Sequence, residues 1–278
     1  MTKSIVRSAA RATVRRVRRD RHAVMKEYDQ RNWALRREAR AWERADSLEA
    51  FLVGRETRRI AAKIDGDPVH VACDEYYRHR LGALQRLVQE HLSAEGDVVE
   101  LGCGFGYNLF ALALAFPKRR FFGFDISPNG VEMGRAVAAH FGLADRIAFD
   151  FLDITRSGDP NFRQLKGRAC FTFFCLEQLP DNVEGAVRNI VAAGPQRVLH
   201  VESSTELLNL RRPSDWANYA FVKSMDYQNS LFGLLRALAQ EGELRLLHMG
   251  RAPFAPTLQN DGFVATWEPA RSACSAAS

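Results

Sequence analysis

Apolar and polar positions along the chain change rhythm near residue 96. Before that point, Met25 to Arg59 is rich in Ala, Arg, Glu and Leu, with Tyr28, Trp33, Trp42 and Phe51 spread along it, and it predicts helix. Gly66-Asp67-Pro68 breaks the pattern. Asp74 is placed to cap a helix from Glu75 to about His91, in which Leu81, Leu84, Leu87 and Val88 fall on one face. From Asp97 onward, short apolar runs alternate with helical stretches. Strands are predicted at Val98–Leu101, Arg120–Phe124, Ile147–Phe151, Ala169–Cys175 and Arg197–Val201, and helices at Asn108–Phe116, Gly130–Phe141 and Asn182–Ala193. Short apolar strands separated by helices predict parallel strands covered on both faces.

Residues 203–240 interrupt this alternation. The segment carries Trp216, Tyr219, Phe221, Tyr227 and Phe232 and ends in a helical Leu231–Leu238, which predicts a helical insertion near the active site whose Trp216, Tyr219 and Tyr227 either form a substrate lid or pack the insertion onto the core. Glu243–Met249 and Gly262–Trp267 then predict an antiparallel hairpin at the sheet edge. The expected organisation is a basic tail over 1–21, a helical extension over 22–95, an α/β core over 96–268 containing the 203–240 insertion, and a frayed tail over 269–278.

Composition adds limits. With 278 residues, the chain suits one domain with an added segment. No apolar run approaches the ~18 residues that span a bilayer, and the start lacks the apolar stretch of a secretory signal. The five cysteines form no C-x-x-C pair and no metal-ligand rhythm with histidine, so no metal site is expected; they read as reduced thiols of a cytoplasmic protein. The net charge is +6, and the excess belongs to the tail, where Lys3, Arg7, Arg11, Arg15, Arg16, Arg18, Arg19 and Arg21 face Asp20 alone. Nucleic acid or an anionic surface would therefore be met only through that tail.

The chemistry concentrates in Val98-Val99-Glu100-Leu101-Gly102-Cys103-Gly104-Phe105-Gly106, a strand running into three alternate glycines before a helix. Missing Cβ atoms let the backbone bend there and let a ligand lie against it. A dinucleotide site wants G-x-G-x-x-G, and Tyr107 stands where that pattern needs glycine. The frame E-x-G-x-G-x-G instead resembles motif I of class I S-adenosylmethionine-dependent methyltransferases. The resemblance covers about residues 75–268. It implies a Rossmann-like, doubly wound, mostly parallel seven-stranded sheet with an antiparallel C-terminal hairpin.

The resemblance also implies a cofactor site for S-adenosylmethionine. Gly102, Gly104 and Gly106 would admit its methionine part and ribose, and Glu100 would accept from its ammonium. Asp125, closing the strand Phe122-Gly123-Phe124-Asp125, would accept both ribose hydroxyls, because one carboxylate offers two adjacent oxygens. Ile126 would pack on the adenine. Asp153, with Ile154 beside it, would receive the adenine amino group, although Leu152 replaces the family's usual glycine before this acid.

The methyl-transfer centre would open at Phe173-Phe174-Cys175-Leu176-Glu177-Gln178, with glutamine where many members carry histidine. Glu177 is the first candidate for a base or substrate anchor. His200, within Leu199-His200-Val201-Glu202, is the second. Arg78, before the core, could meet the cofactor's carboxylate. The function implied is methyl transfer to a small molecule or biosynthetic intermediate. The alternatives are a catalytically silent cofactor-binding scaffold with a basic docking tail, and an NAD(P)-dependent oxidoreductase.

Overall fold

The computed structural model describes residues 19–270 apart from 55, 66, 93, 94, 180, 256 and 258. Most of the basic tail, residues 1–18, and the end of the C-terminal tail, residues 271–278, lie outside the described residues.

The core is a seven-stranded sheet with helices on both faces. Its strands are β3 (Val98–Leu101), β4 (Phe121–Asp125), β5 (Ile147–Phe151), β6 (Ala169–Phe173), β7 (Arg197–Ser203), β8 (Leu244–Arg251) and β10 (Gly262–Pro269). Two further strands, β1 (Arg59–Ile64) and β2 (Asp67–Ala72), precede them, and the two-residue β9 (Phe254–Ala255) lies between β8 and β10. The order across the main sheet is β5-β4-β3-β6-β7-β10-β8. The first five strands pair in parallel, and β10 pairs antiparallel with both β7 and β8. The order reverses at β3, so a crevice opens at the carboxyl ends of β3 and β6, where open α/β sheets hold ligands. Every residue of β3 and of β6 is buried. That double-sided burial explains why these strands read as continuous apolar runs rather than alternating ones.

Helix bounds follow local signals. Tyr107–Ala115 starts from Gly106, whose φ of 87° closes the turn. A Cβ on Gly106 would lie 2.4 Å from the Phe149 ring, so this glycine serves helix-on-sheet packing. Pro128–His140 begins with Pro in its first turn, and the Ser127 hydroxyl accepts from Gly130 N at 3.0 Å.

One expectation is corrected and one alternative is decided. Residues 22–95 are not helical throughout: β1 and β2 form an antiparallel hairpin, and β9 extends it to a three-stranded sheet. The long helix that follows, Cys73–His91, takes Ala72 as its N-cap, with Asp74 inside the first turn. The small sheet is fastened to the core by a buried pair between Lys63 Nζ and Asp261 Oδ1 at 2.6 Å. Arg251 joins it by pairing with Asp261 and, at 2.8 Å, with Asp215.

The alternative concerns the lid. The 203–240 insertion contains helices Pro213–Ser224 and Leu231–Gln240. The latter buries Leu231, Phe232, Leu235 and Leu238 in the core beneath β8 and β10 rather than roofing the crevice. The roof comes from the N-terminal side instead. Helical stretches Arg21–Met25, Lys26–Trp33 (wound as a π-helix), Ala34–Ala39 and Leu48–Val53 cross over the carboxyl ends of β3 and β4. Asp29 of this cap accepts from the Ser127 hydroxyl at 2.6 Å and from Asn129 N at 3.0 Å, and Arg37 pairs with Glu132. The Tyr107 hydroxyl donates to the Leu52 carbonyl at 2.9 Å.

Candidate active site

Beneath the cap lies a cavity of about 740 Å³, within the usual range of ~300–1,000 Å³ for small-molecule sites. Its floor is the strand-end crevice: Glu100, Gly102, Gly104, Asp125, Ile126 and Asp153 all line it. The glycine turn is shaped by positive φ at Gly102 (73°) and Gly104 (55°). Side chains press on both. A Cβ on Gly102 would lie 1.9 Å from Cys175 Sγ, and one on Gly104 would lie 2.6 Å from the Trp33 ring. The cap therefore lays an indole on the surface that a ligand would use.

Glu100 is buried, and Asn108 Nδ2 donates to its Oε1 at 2.6 Å. Arg80 Nη2 donates in turn to Asn108 Oδ1 at 3.3 Å. Glu100 Oε2 is sealed and without a hydrogen-bond partner. Burial pushes this carboxyl up to about 8, against the pull of Asn108 and Arg80. Arg80 lies 4.9 Å from the ring centres of both Tyr107 and Phe173. Arg78, the arginine that the resemblance could bring to the cofactor's carboxylate, is a helix-surface residue that pairs with Asp74 at 2.9 Å. Two residues of offset turn a side chain to a different face of a helix, so Arg80 reaches the cavity and Arg78 does not.

Asp125 is buried, and burial raises its carboxyl. Its Oδ2 accepts from Gly104 N at 2.6 Å and its Oδ1 from Ser127 N at 2.8 Å, which fixes it against the glycine turn. Asp153 accepts from Thr155 N at 3.0 Å and Thr155 Oγ1 at 2.6 Å on one oxygen, and Arg21 pairs with the other. Burial would raise Asp153, but hydrogen bonds from Thr155 and Arg21 hold it below the usual carboxylate range.

Four expected residues lie away from the cavity lining. Gly106 packs on Phe149, as described. Ile154 joins the apolar core with Leu152 and Phe124. Glu177 is buried behind the cavity wall: its Oε2 accepts from Ser203 N at 2.7 Å, and its Oε1 accepts from Gln178 Nε2 at 2.9 Å. Its neighbour Glu202 accepts from Glu177 N at 3.2 Å, and burial raises both carboxyls.

His200 is fully buried. Its Nδ1 meets Thr172 Oγ1 at 2.9 Å, and its Nε2 accepts from Trp267 Nε1 at 2.9 Å. Burial holds its pKa down to about 3, so the ring is neutral. With both nitrogens occupied inside the sheet, His200 is placed as a core residue; the expectation of a catalytic histidine is corrected on this geometry.

Gln178 does line the cavity, with Phe173, Phe174, Cys175 and Leu179. Phe174 takes φ 51°, a left-handed conformation that bulky residues rarely adopt, so the backbone turns sharply as it leaves β6. The cap supplies Arg21, Met25, Tyr28 and Trp33 to the opposite wall. Asn108 was a legible signal, as the lone amide in the otherwise apolar NLFALALAF run. Trp33 and Arg21 were not, because nothing local ties the cap to the glycine turn.

This topology, with the glycine turn at its switch point, is the fold of the class I S-adenosylmethionine-dependent methyltransferases. More particularly, a protein-family model described as a methyltransferase domain matches residues 92–163, which span the glycine turn, Asp125 and Asp153. The cofactor of that enzyme class is S-adenosylmethionine. Among solved structures, the chain is similar to the [4+2]-cyclase SpnF (14% identity, 87% of this chain and 96% of that chain, TM-score 0.55). It is also similar to geranyl diphosphate C-methyltransferase from Streptomyces coelicolor A3(2), solved with Mg2+, geranyl diphosphate and S-adenosyl-L-homocysteine (14% identity, 83% and 98%, TM-score 0.51). A third is a geranyl diphosphate methyltransferase solved with GPP and sinefungin (18% identity, 84% and 98%, TM-score 0.50). At these identities the likeness is one of fold. No curated protein sequence matches the chain significantly.

Among the described residues, no helix is long and apolar enough to cross a membrane, and no cluster of His, Cys, Asp and Glu could hold a metal ion.

Proposed function

We propose that the protein transfers a methyl group from S-adenosylmethionine to a small-molecule acceptor enclosed under the N-terminal cap. The observation that carries this reading is the convergence of Glu100, Gly102, Gly104, Asp125 and Asp153 on one cavity at the switch point of the sheet. The donor set suits the cofactor's chemistry. The orphaned Glu100 Oε2 is a partner for an ammonium, and Arg80 beside it is a partner for a carboxylate. Asp125 is the ribose acceptor and Ile126 an adenine contact. Asp153 is the acceptor for the adenine amino group, once Arg21 yields.

Bound there, S-adenosylmethionine supplies a methyl on a sulfonium, and the sulfur keeps the electron pair as the new bond to the acceptor forms. The chain's own task is to hold and align the acceptor, to which effective-molarity arguments assign up to ~7–11 kcal/mol. Neither Glu177 nor His200 is presented to the cavity as a base. An acceptor proton therefore leaves to water, and the fitting nucleophile is one that loses its proton easily on attack. Enclosure beneath a cap of short helical stretches favours a small acceptor over a macromolecule.

The test has two readings. Calorimetric titration with S-adenosylhomocysteine reports the cofactor site. Release of S-adenosylhomocysteine from S-adenosylmethionine over fractionated metabolite pools, with mass detection of an added CH₂, reports the reaction. Cofactor binding without turnover on any pool would favour a catalytically silent scaffold. Saturable NAD(P) binding with no affinity for S-adenosylhomocysteine would overturn the reading.

A further inference from the structure

Gln178 holds a polar atom for which the protein supplies no partner. Its Nε2 donates to Glu177 Oε1 at 2.9 Å. Glu177 is itself fixed, because Ser203 N donates to its other oxygen at 2.7 Å. This chain of contacts settles the amide's orientation: the nitrogen must face the carboxylate, so the carbonyl oxygen faces elsewhere. That oxygen, Gln178 Oε1, is buried and unpartnered, in a residue that lines the cavity. Buried polar atoms are nearly always satisfied, and one left open at a ligand cavity calls for a ligand's donor.

The surroundings narrow the ligand. Aromatic side chains lining the same cavity are Phe173 and Phe174 from the end of β6, Tyr28 and Trp33 from the cap, and Tyr77 from the helix before the core. These flat faces suit a planar aromatic body. An amide oxygen has no useful basicity, so Gln178 can orient a donor without taking its proton.

Resting on the methyltransferase reading, we infer that the acceptor is a planar aromatic compound whose hydroxyl or amine donates a hydrogen bond to Gln178 Oε1. Gln178 is then a positioning residue, and Glu177 sets its orientation. The hydrogen bond turns the nucleophile's lone pair away from the amide and toward the transferable methyl. The new bond forms from that lone pair to the methyl carbon, the carbon–sulfur bond breaks with the pair going to sulfur, and the proton is lost to water.

The experiment uses the full chain and a matched pair of probes, 2-naphthol and 2-methoxynaphthalene, titrated calorimetrically in the presence of saturating S-adenosylhomocysteine. The wild type is expected to bind the naphthol roughly tenfold more tightly, the difference one good hydrogen bond makes to an otherwise stranded oxygen. Gln178→Met keeps the side-chain length but removes the acceptor, and it is expected to bring the two probes to within about twofold. A general structural role would weaken both probes together and leave their ratio intact. Equal binding of the two probes to the wild type overturns the inference without any variant. So does binding of neither probe, or a preference that survives in Gln178→Met. Failure of S-adenosylhomocysteine to bind in the first titration would instead overturn the cofactor reading on which the inference rests.

Discussion

Arg21 of the N-terminal cap forms an ion pair with Asp153 at the end of the third parallel strand, across the mouth of the cavity. Arg21 is half exposed, while the Asp153 side chain is almost completely buried. The cap is thus latched onto the acid that the cofactor's adenine would use. If cap and cofactor compete for this carboxylate, Arg21→Ala should bind S-adenosylhomocysteine more tightly. The gain is expected to be about threefold, because a partly exposed pair is worth only ~0.2–1 kcal/mol. Calorimetry on the two proteins checks it, and weaker binding by the variant would assign Arg21 to the cofactor instead.

Asp125 braces the glycine turn by accepting from Gly104 N, and it is the proposed acceptor for the ribose. Asp125→Ala should weaken S-adenosylhomocysteine binding by roughly tenfold or more, as expected when charge-assisted hydrogen bonds are lost. Asp125→Asn keeps one acceptor oxygen and should fall between the two. An unchanged dissociation constant in Asp125→Ala would remove the ribose assignment.

Four buried carboxyls, Asp125 among them, should make the ligand-free fold less stable in base. Burial raises Glu100 from its ordinary 4.5 to about 8, and it also raises Glu177 and Glu202. A raised carboxyl binds its proton more tightly in the folded state than in the unfolded one. Its stabilisation is complete below the ordinary value and is lost as pH rises through the folded value. Urea denaturation at intervals between pH 4.5 and 9 should show stability falling across this window. Glu202→Gln stays neutral throughout and should flatten the slope; a slope of the same size in that variant would refute the assignment.

His200 separates a structural histidine from a catalytic one. Its ring is held between Thr172 and Trp267 within the sheet. His200→Ala should cost about 2–4 kcal/mol of stability, the usual range for a truncated, hydrogen-bonded core side chain. It should leave S-adenosylhomocysteine affinity unchanged at a temperature where the variant remains folded. A stable variant with a large loss of ligand binding would return His200 to the site.

Local order was legible where burial is two-sided and contacts are near in sequence. Val98–Leu101 and Ile147–Phe151 appear where their apolar runs place them, and Gly102, Gly104, Asp125 and Asp153 meet at one cavity because each closes a parallel strand at the same edge. The β1–β2 hairpin was missed because β1 also pairs with Ala255 and Phe254, nearly two hundred residues away. Its Ala- and Lys-containing run has no strong period of its own.

By itself, then, the sequence determined the alternating strands, the glycine turn and the acids that follow it, since pleat, period and backbone freedom act over a few residues. Which aromatic segment roofs the cavity was decided only by tertiary structure. Residues 25–54 and 203–240 are both aromatic-bearing and helical, and either could have served. The second buries its apolar face under β8 and β10, leaving the first to cover the strand ends. The same packing sealed Glu177 and His200 inside and left Gln178 at the cavity wall. Side-chain facing at a strand's end depends on where the backbone turns, and at Phe174, with φ 51°, the backbone N donates to the Val201 carbonyl of β7 at 2.8 Å.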